Sequence, residues 1–132
     1  MTTLVLYLVT AAVFLILDAI MLNLFLAPLF RDTLGDAILE TPRIAPAAVF
    51  YLFYVAGILW LVSMPALRDG APLQAMVNGA ILGAVAYGTY EFTNFATLRG
   101  WSWQMVTVDV MWGAVLTGIS AWSGVVAARA WT

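Results

Sequence analysis

Four continuous apolar runs, at residues 4–30, 47–67, 73–98 and 103–128, take up most of this chain of 132 residues. Each is long enough to cross hydrocarbon roughly 30 Å thick at about 1.5 Å per helical residue. Inside a bilayer the backbone N–H and C=O groups have no water to bond, so only helices and closed barrels are tolerated there. The runs lack the alternation of barrel strands. The expected fold is therefore all-α, an integral membrane four-helix bundle forming a single domain over residues 1–132. The connections Arg68 to Pro72 and Arg99 to Ser102 are short enough to force antiparallel packing of the second helix on the third and of the third on the fourth.

Composition excludes more than it assigns. A 64% hydrophobic fraction lies far above the 45 to 50% or so of soluble domains. The net charge of −2 and five dispersed arginines leave no basic patch for nucleic acid or anionic headgroups. With no Cys, His or Lys, the chain cannot supply a thiol nucleophile, a thiolate- or imidazole-held metal, a Ser-His-Asp triad or a Schiff base. No cofactor and no metal are expected, and any chemistry must run on carboxylates, hydroxyls, arginine or tyrosine. Met1 to Phe30 has no basic start and carries Asp18 in mid-run, so it reads as a retained first span rather than a cleaved signal.

The water-facing parts are short. Between Arg31 and Pro46, the segment Asp32 to Thr41 places Leu34, Ala37 and Ile38 on one helical face against Asp32, Asp36 and Glu40, which suits either a short interfacial helix or an irregular polar loop. Pro46 suits the first position of the second helix. Trp101 and Trp103 fall at one membrane face, and Trp60, Trp122 and Trp131 toward the other, as in aromatic belts. Trp112 is different: it lies inside the fourth helix one turn from Asp109, and its indole N–H needs a buried acceptor, for which that carboxyl is the obvious one. Arg31, Arg43 and Arg99 on one face against Arg68 and Arg129 on the other favour both termini outside.

Three acids interrupt the apolar runs: Asp18, Glu91 and Asp109. A charged Asp near a helix centre costs roughly 2.5 to 3.5 kcal/mol on insertion scales, so each needs a partner, water or a proton. In the third helix Gly79, Gly83, Tyr87, Glu91 and Asn94 form one stripe, small at its start and polar at its end, with Tyr90 beside it. The fourth helix repeats the pattern with Asp109, Gly113, Leu116, Thr117, Ser120 and Gly124. Glu91 and Asp109 each fall about 10 Å from the connecting loop along their axes and can share a depth. Asp18 lies near the middle of the first helix, and Tyr51 and Tyr54 start from the same face of the membrane. One pocket can thus collect acids from three helices, with Asp18, Glu91, Asn94, Asp109, Trp112, Tyr87 and Tyr90 as candidate ligand- or proton-binding residues and Gly79, Gly83 and Gly113 as packing positions. Burial and mutual repulsion both oppose ionisation there, so at least one acid is expected to hold a proton near neutral pH. The plainer reading is interhelical hydrogen-bonding glue at about 0.6 kcal/mol per contact, which neutral Asn or Ser would supply at lower cost than an acid.

These residues carry a resemblance. Ala86-Tyr87-Gly88-Thr89-Tyr90-Glu91-Phe92-Thr93-Asn94-Phe95-Ala96-Thr97-Leu98-Arg99-Gly100-Trp101, then Val108-Asp109-Val110-Met111-Trp112-Gly113, resemble the domain-of-unknown-function family 2177 of small bacterial four-span membrane proteins. Asp18-Ala19-Ile20 and Phe50-Tyr51-Leu52-Phe53-Tyr54 support the likeness, which runs along almost the whole chain. Where this chain has Glu91 and Met21, members more often carry Asp and Trp. The resemblance implies a multi-pass protein of the bacterial inner membrane and supplies no activity.

Three functions compete. The first is a buried carboxylate site that binds or transports a proton, a cation or a small polar or cationic molecule, with a homo-oligomer enclosing any translocation path. The second is a structural or accessory subunit of a larger membrane complex, needing no chemistry from the acids. The third is an intramembrane enzyme using paired carboxylates on lipid or peptide, although the Gly-x-Gly-Asp pattern of intramembrane aspartyl proteases is missing before Asp109. In each the lipid bilayer is the obligatory partner.

Overall fold

A computed structural model describes residues 1–38 and 43–132, and every regular element among them is helical. The elements join into four rods: α1 (Thr2–Ala37), α2 (Ile44–Arg68), α3 (Pro72–Thr97) and α4 (Trp103–Trp131). Of these, α1, α2 and α4 are long and apolar enough to cross a membrane. The 26 residues of α3 are sufficient in length, but Gln74, Asn78 and the polar residues from Tyr87 to Asn94 dilute its hydropathy.

The first connection differs from expectation. Arg31 to Leu34 continue the helix of α1, and Gly35–Ala37 close it with a 3-10 turn, so the segment expected to be a short interfacial helix or an irregular loop is in its first part the end of α1. Leu39 to Thr41, the remainder of that segment, lie outside the described residues. Helix α2 starts at Ile44, which puts Pro46 in its first turn at the third position rather than the first. Its missing N–H is harmless there, because the first four N–H groups of a helix have no intrahelical acceptor.

Each of the two inner prolines leaves a mark. Pro28 and Pro65 lack the N–H that would continue the ladder, and their rings press on the carbonyl four residues back. The backbone answers with a π turn just ahead of each, Leu22–Leu26 before Pro28 and Leu59–Ser63 before Pro65. Such wide turns absorb an interruption without ending the helix. At the tight turns, Gly70 (φ 62°) and Gly100 (φ 82°) take the left-handed conformation that other residues resist. Ser102 caps α4, its hydroxyl accepting from the Met105 N–H at 3.2 Å.

The bundle is organised around α4, which packs most extensively on α3 and next on α1. Lipid is as apolar as leucine, so close van der Waals contact has to hold such helices together, and small residues permit it. A Cβ added at Gly79 would stand 3.0 Å from the Gly118 Cα, and one at Gly83 would collide with the Gly113 carbonyl. A Cβ at Gly113 would strike the Tyr87 ring, and one at Gly124 the Thr10 hydroxyl. On α3 the buried residues are Ala75, Gly79, Gly83 and Glu91, while Leu73, Val77, Ile81 and Val85 point outward. Small or polar inside and apolar outside is the arrangement a lipid solvent selects. Trp60, Trp103 and Trp131 also project from the bundle.

The two ends of the bundle differ. Toward the N-terminus of α1, Leu6 and Thr10 are buried against Gly124 of α4, beside a smaller cavity of about 330 Å³ bordered by Thr3, Trp60 and Met64. Toward the C-terminal half of α1 the first part of α2 stands away, with most residues from Ile44 to Phe53 exposed. Phe30 meets Trp101 edge-on at 5.7 Å, tying the end of α1 to the α3–α4 connection.

Candidate functional site

Asp18 reaches the bundle centre because it continues the inward stripe Leu6, Thr10, Phe14, Asp18 at four-residue spacing. Both of its oxygens accept hydrogen bonds from other helices. The Tyr51 hydroxyl of α2 donates to Oδ2 at 3.2 Å, and the Trp112 indole of α4 donates to Oδ1 at 3.1 Å. Phe14, one turn earlier, sets Tyr51 by a tilted and Tyr54 by an edge-on ring contact, at 5.6 Å each. The Tyr54 hydroxyl shares a 2.9 Å hydrogen bond with that of Thr117, pinning α2 to α4.

Glu91 and Asp109 form the second half of the constellation. Glu91 is 0% exposed, and its Oε1 accepts from the Trp101 indole at 2.9 Å. Its Oε2 has no hydrogen-bond partner among the described residues. The carboxyl of Asp109 lies within interaction range of Glu91 and of Asp18, and Tyr90 is near both Glu91 and Asp109. Tyr51, Tyr87 and Tyr90 surround Asp109.

A cavity of about 690 Å³ opens beside these groups, bounded by the second half of α1, the start of α2, α3 and α4. Asp18 and Asp109, each 8% exposed, are its deep polar groups. Arg31 stands at its other end, ~20 Å from Asp18 along the α1 axis. Between them the walls are mainly apolar and aromatic, among them Leu22, Leu26, Phe30, Phe50 and Tyr87. The π turn of α1 itself forms part of the wall. Asn23 also borders the cavity, and its amide donates to the Ala19 carbonyl of its own helix at 3.0 Å.

The structure places the sequence candidates unequally. Asp18, Asp109, Tyr87 and Tyr90 border the cavity; Glu91 is buried and does not border it. Asn94 is half-buried and does not line it. Trp112 bonds to Asp18 rather than to its own-helix neighbour Asp109. A one-turn spacing fixes a shared face, and the acceptor met on that face comes from α1. Gly79, Gly83 and Gly113 sit where α3 and α4 approach most closely, with the Tyr87 ring filling the space that Gly113 leaves. Sequence reasoning missed Trp101 as a ligand of Glu91 and Arg31 as part of the cavity. The signal for Trp101 was its place only ten residues after Glu91 across a tight turn, which returns the chain to the same depth.

In comparison with known families, residues 3–126 fit the family model described as Predicted membrane protein (DUF2177). No curated protein and no solved structure matches the chain.

Proposed function

The chain belongs to this family of predicted membrane proteins, and from that premise we propose that it binds, within the bilayer, a small amphiphile with a cationic or hydrogen-bond-donating head. All four helices cross the membrane in this reading, α3 shielded by its three more apolar neighbours. One observation carries it: an apolar, aromatic-walled cavity whose deep groups are two carboxylates from different helices. An organic cation is attracted both by carboxylates and by the faces of aromatic rings, and Phe50, Tyr51 and Tyr87 supply such faces. Asp18 receives one donor on each oxygen and keeps lone pairs free for another, since a carboxylate offers about four acceptor sites. An anion would meet two acids, so the charge of the site selects against it.

The test uses the protein in lipid nanodiscs with tetraphenylphosphonium as the probe. Asp18→Asn and Asp109→Asn should each weaken its binding tenfold or more, about 1.4 kcal/mol. Equal binding by wild type and both variants would remove the proposal.

A further inference from the structure

The carboxyl of Glu91 faces a problem that its position does not let it solve alone. It is fully buried, one oxygen is without a donor, and the group against it is another carboxyl, that of Asp109. Two carboxylates facing each other are both acceptors and repel; with one proton between them they become donor and acceptor, and the repulsion turns into a hydrogen bond. Among the described residues, the groups that face the pair offer no cation in place of a proton. From α1 comes Asp18, from α2 Tyr51, from α3 Tyr87 and Tyr90, and from the α3–α4 connection the neutral indole of Trp101. Arg31, the charged group of opposite sign on the cavity, stands at its far end.

We propose that Glu91 and Asp109 share one proton, and that this proton leaves when a cationic head docks between Asp18 and Asp109. The proposal rests, in its second half, on the cavity reading above. Charge balances: one positive charge enters the buried site as one leaves, so the three acids together with the cation they hold, first the proton and then the head, keep the same net charge throughout. The two members of the pair divide the work. Asp109 borders the cavity and meets both the incoming head and the shared proton, while Glu91, walled off from the cavity, retains its bond to Trp101 and serves as the proton's second seat. Ownership of the proton belongs to the pair and not to either residue.

Infrared spectroscopy of the protein in lipid reads the first half directly. At neutral pH the wild type should show the C=O stretch of a protonated, buried carboxyl group, shifted slowly by deuterium exchange. Glu91→Gln and Asp109→Asn should each abolish it, whereas Asp18→Asn should leave it. A variant that fails to fold is bypassed by titrating the wild-type band, which should disappear at alkaline pH. A wild type without such a band, or a band that survives both Glu91→Gln and Asp109→Asn in folded protein, overturns the shared proton. The second half is read by titrating tetraphenylphosphonium into weakly buffered protein. About one proton should be released per cation bound, and Glu91→Gln should lose that release while still binding. Binding without proton release by the wild type overturns the exchange. Absence of any binding overturns the cavity reading and the exchange together, while the infrared band still decides the shared proton by itself.

Discussion

The indole N–H of Trp112 donates to Oδ1 of Asp18 at 3.1 Å, joining α4 to α1 across 94 positions of sequence. A single bond of this kind sets the azimuth of both helices at the depth of the cavity. In a double-mutant cycle, Trp112→Phe and Asp18→Asn should therefore couple by about 0.6 to 1.7 kcal/mol in unfolding measured in mixed detergent micelles. Trp112→Phe and Asp109→Asn should show a smaller coupling, and the reverse order would place the indole on the wrong acid.

The close approach of α3 to α4 predicts opposite outcomes for two glycines. Gly83→Ala forces a methyl into the Gly113 carbonyl and should destabilise the bundle by about 1 to 3 kcal/mol. Gly57→Ala on α2 has open space around it and should be neutral or stabilising by up to about 1 kcal/mol through helix propensity. Thermal unfolding of the two variants side by side provides the check.

Arg31 shares the cavity with the acids and repels the cation proposed to enter. At ~20 Å the repulsion is roughly 0.2 kcal/mol in water and 0.8 kcal/mol at an effective dielectric constant near 20. Arg31→Gln should accordingly tighten tetraphenylphosphonium binding by a factor of about 1.4 to 4. The gain should shrink in high salt, because an exposed charge is screened. A loss of affinity would assign Arg31 a contact with the bound molecule.

Replacing Pro28 restores a backbone donor to α1. Pro28→Ala should let the π turn at Leu22–Leu26 tighten to α geometry, turning the helix beyond it by about 100°. The chain has no cysteine, so a single Phe30→Cys is a clean reporter. Its rate of maleimide labelling should change in the Pro28→Ala background, with thermal stability kept or raised. Unchanged labelling would mean that the wide turn does not depend on the proline.

Much of the fold was legible because a bilayer permits few alternatives. Long apolar runs can only be helices, and short polar connections fix antiparallel neighbours. The stripe of Gly79, Gly83, Tyr87 and Glu91 could be drawn from four-residue spacing alone. What spacing could not give was the partner across an interface. The periodicity of α4 put Asp109 and Trp112 on one face, but whether the indole met an acid of its own helix or of another depended on the tilt and rotation of α1, which no local pattern records. The same holds for Trp101. As a belt residue it needed only to lie near the membrane surface, yet the turn at Gly100 folds its ring back onto Glu91. The end of α1 was misread for a simpler reason. Charged residues from Arg31 onward mark where a helix leaves hydrocarbon, and leaving hydrocarbon does not require the helix to stop.

The glycine seams leave α3 and α4 no slack, and Gly124 against Thr10 clamps the beginning of α1 in the same way. Room to widen or close the entrance therefore falls to the exposed beginning of α2, residues 44–50, ahead of the bonds made by Tyr51 and Tyr54. The molecule resembles a clothes peg, with a tight spring at one end and one movable jaw at the other.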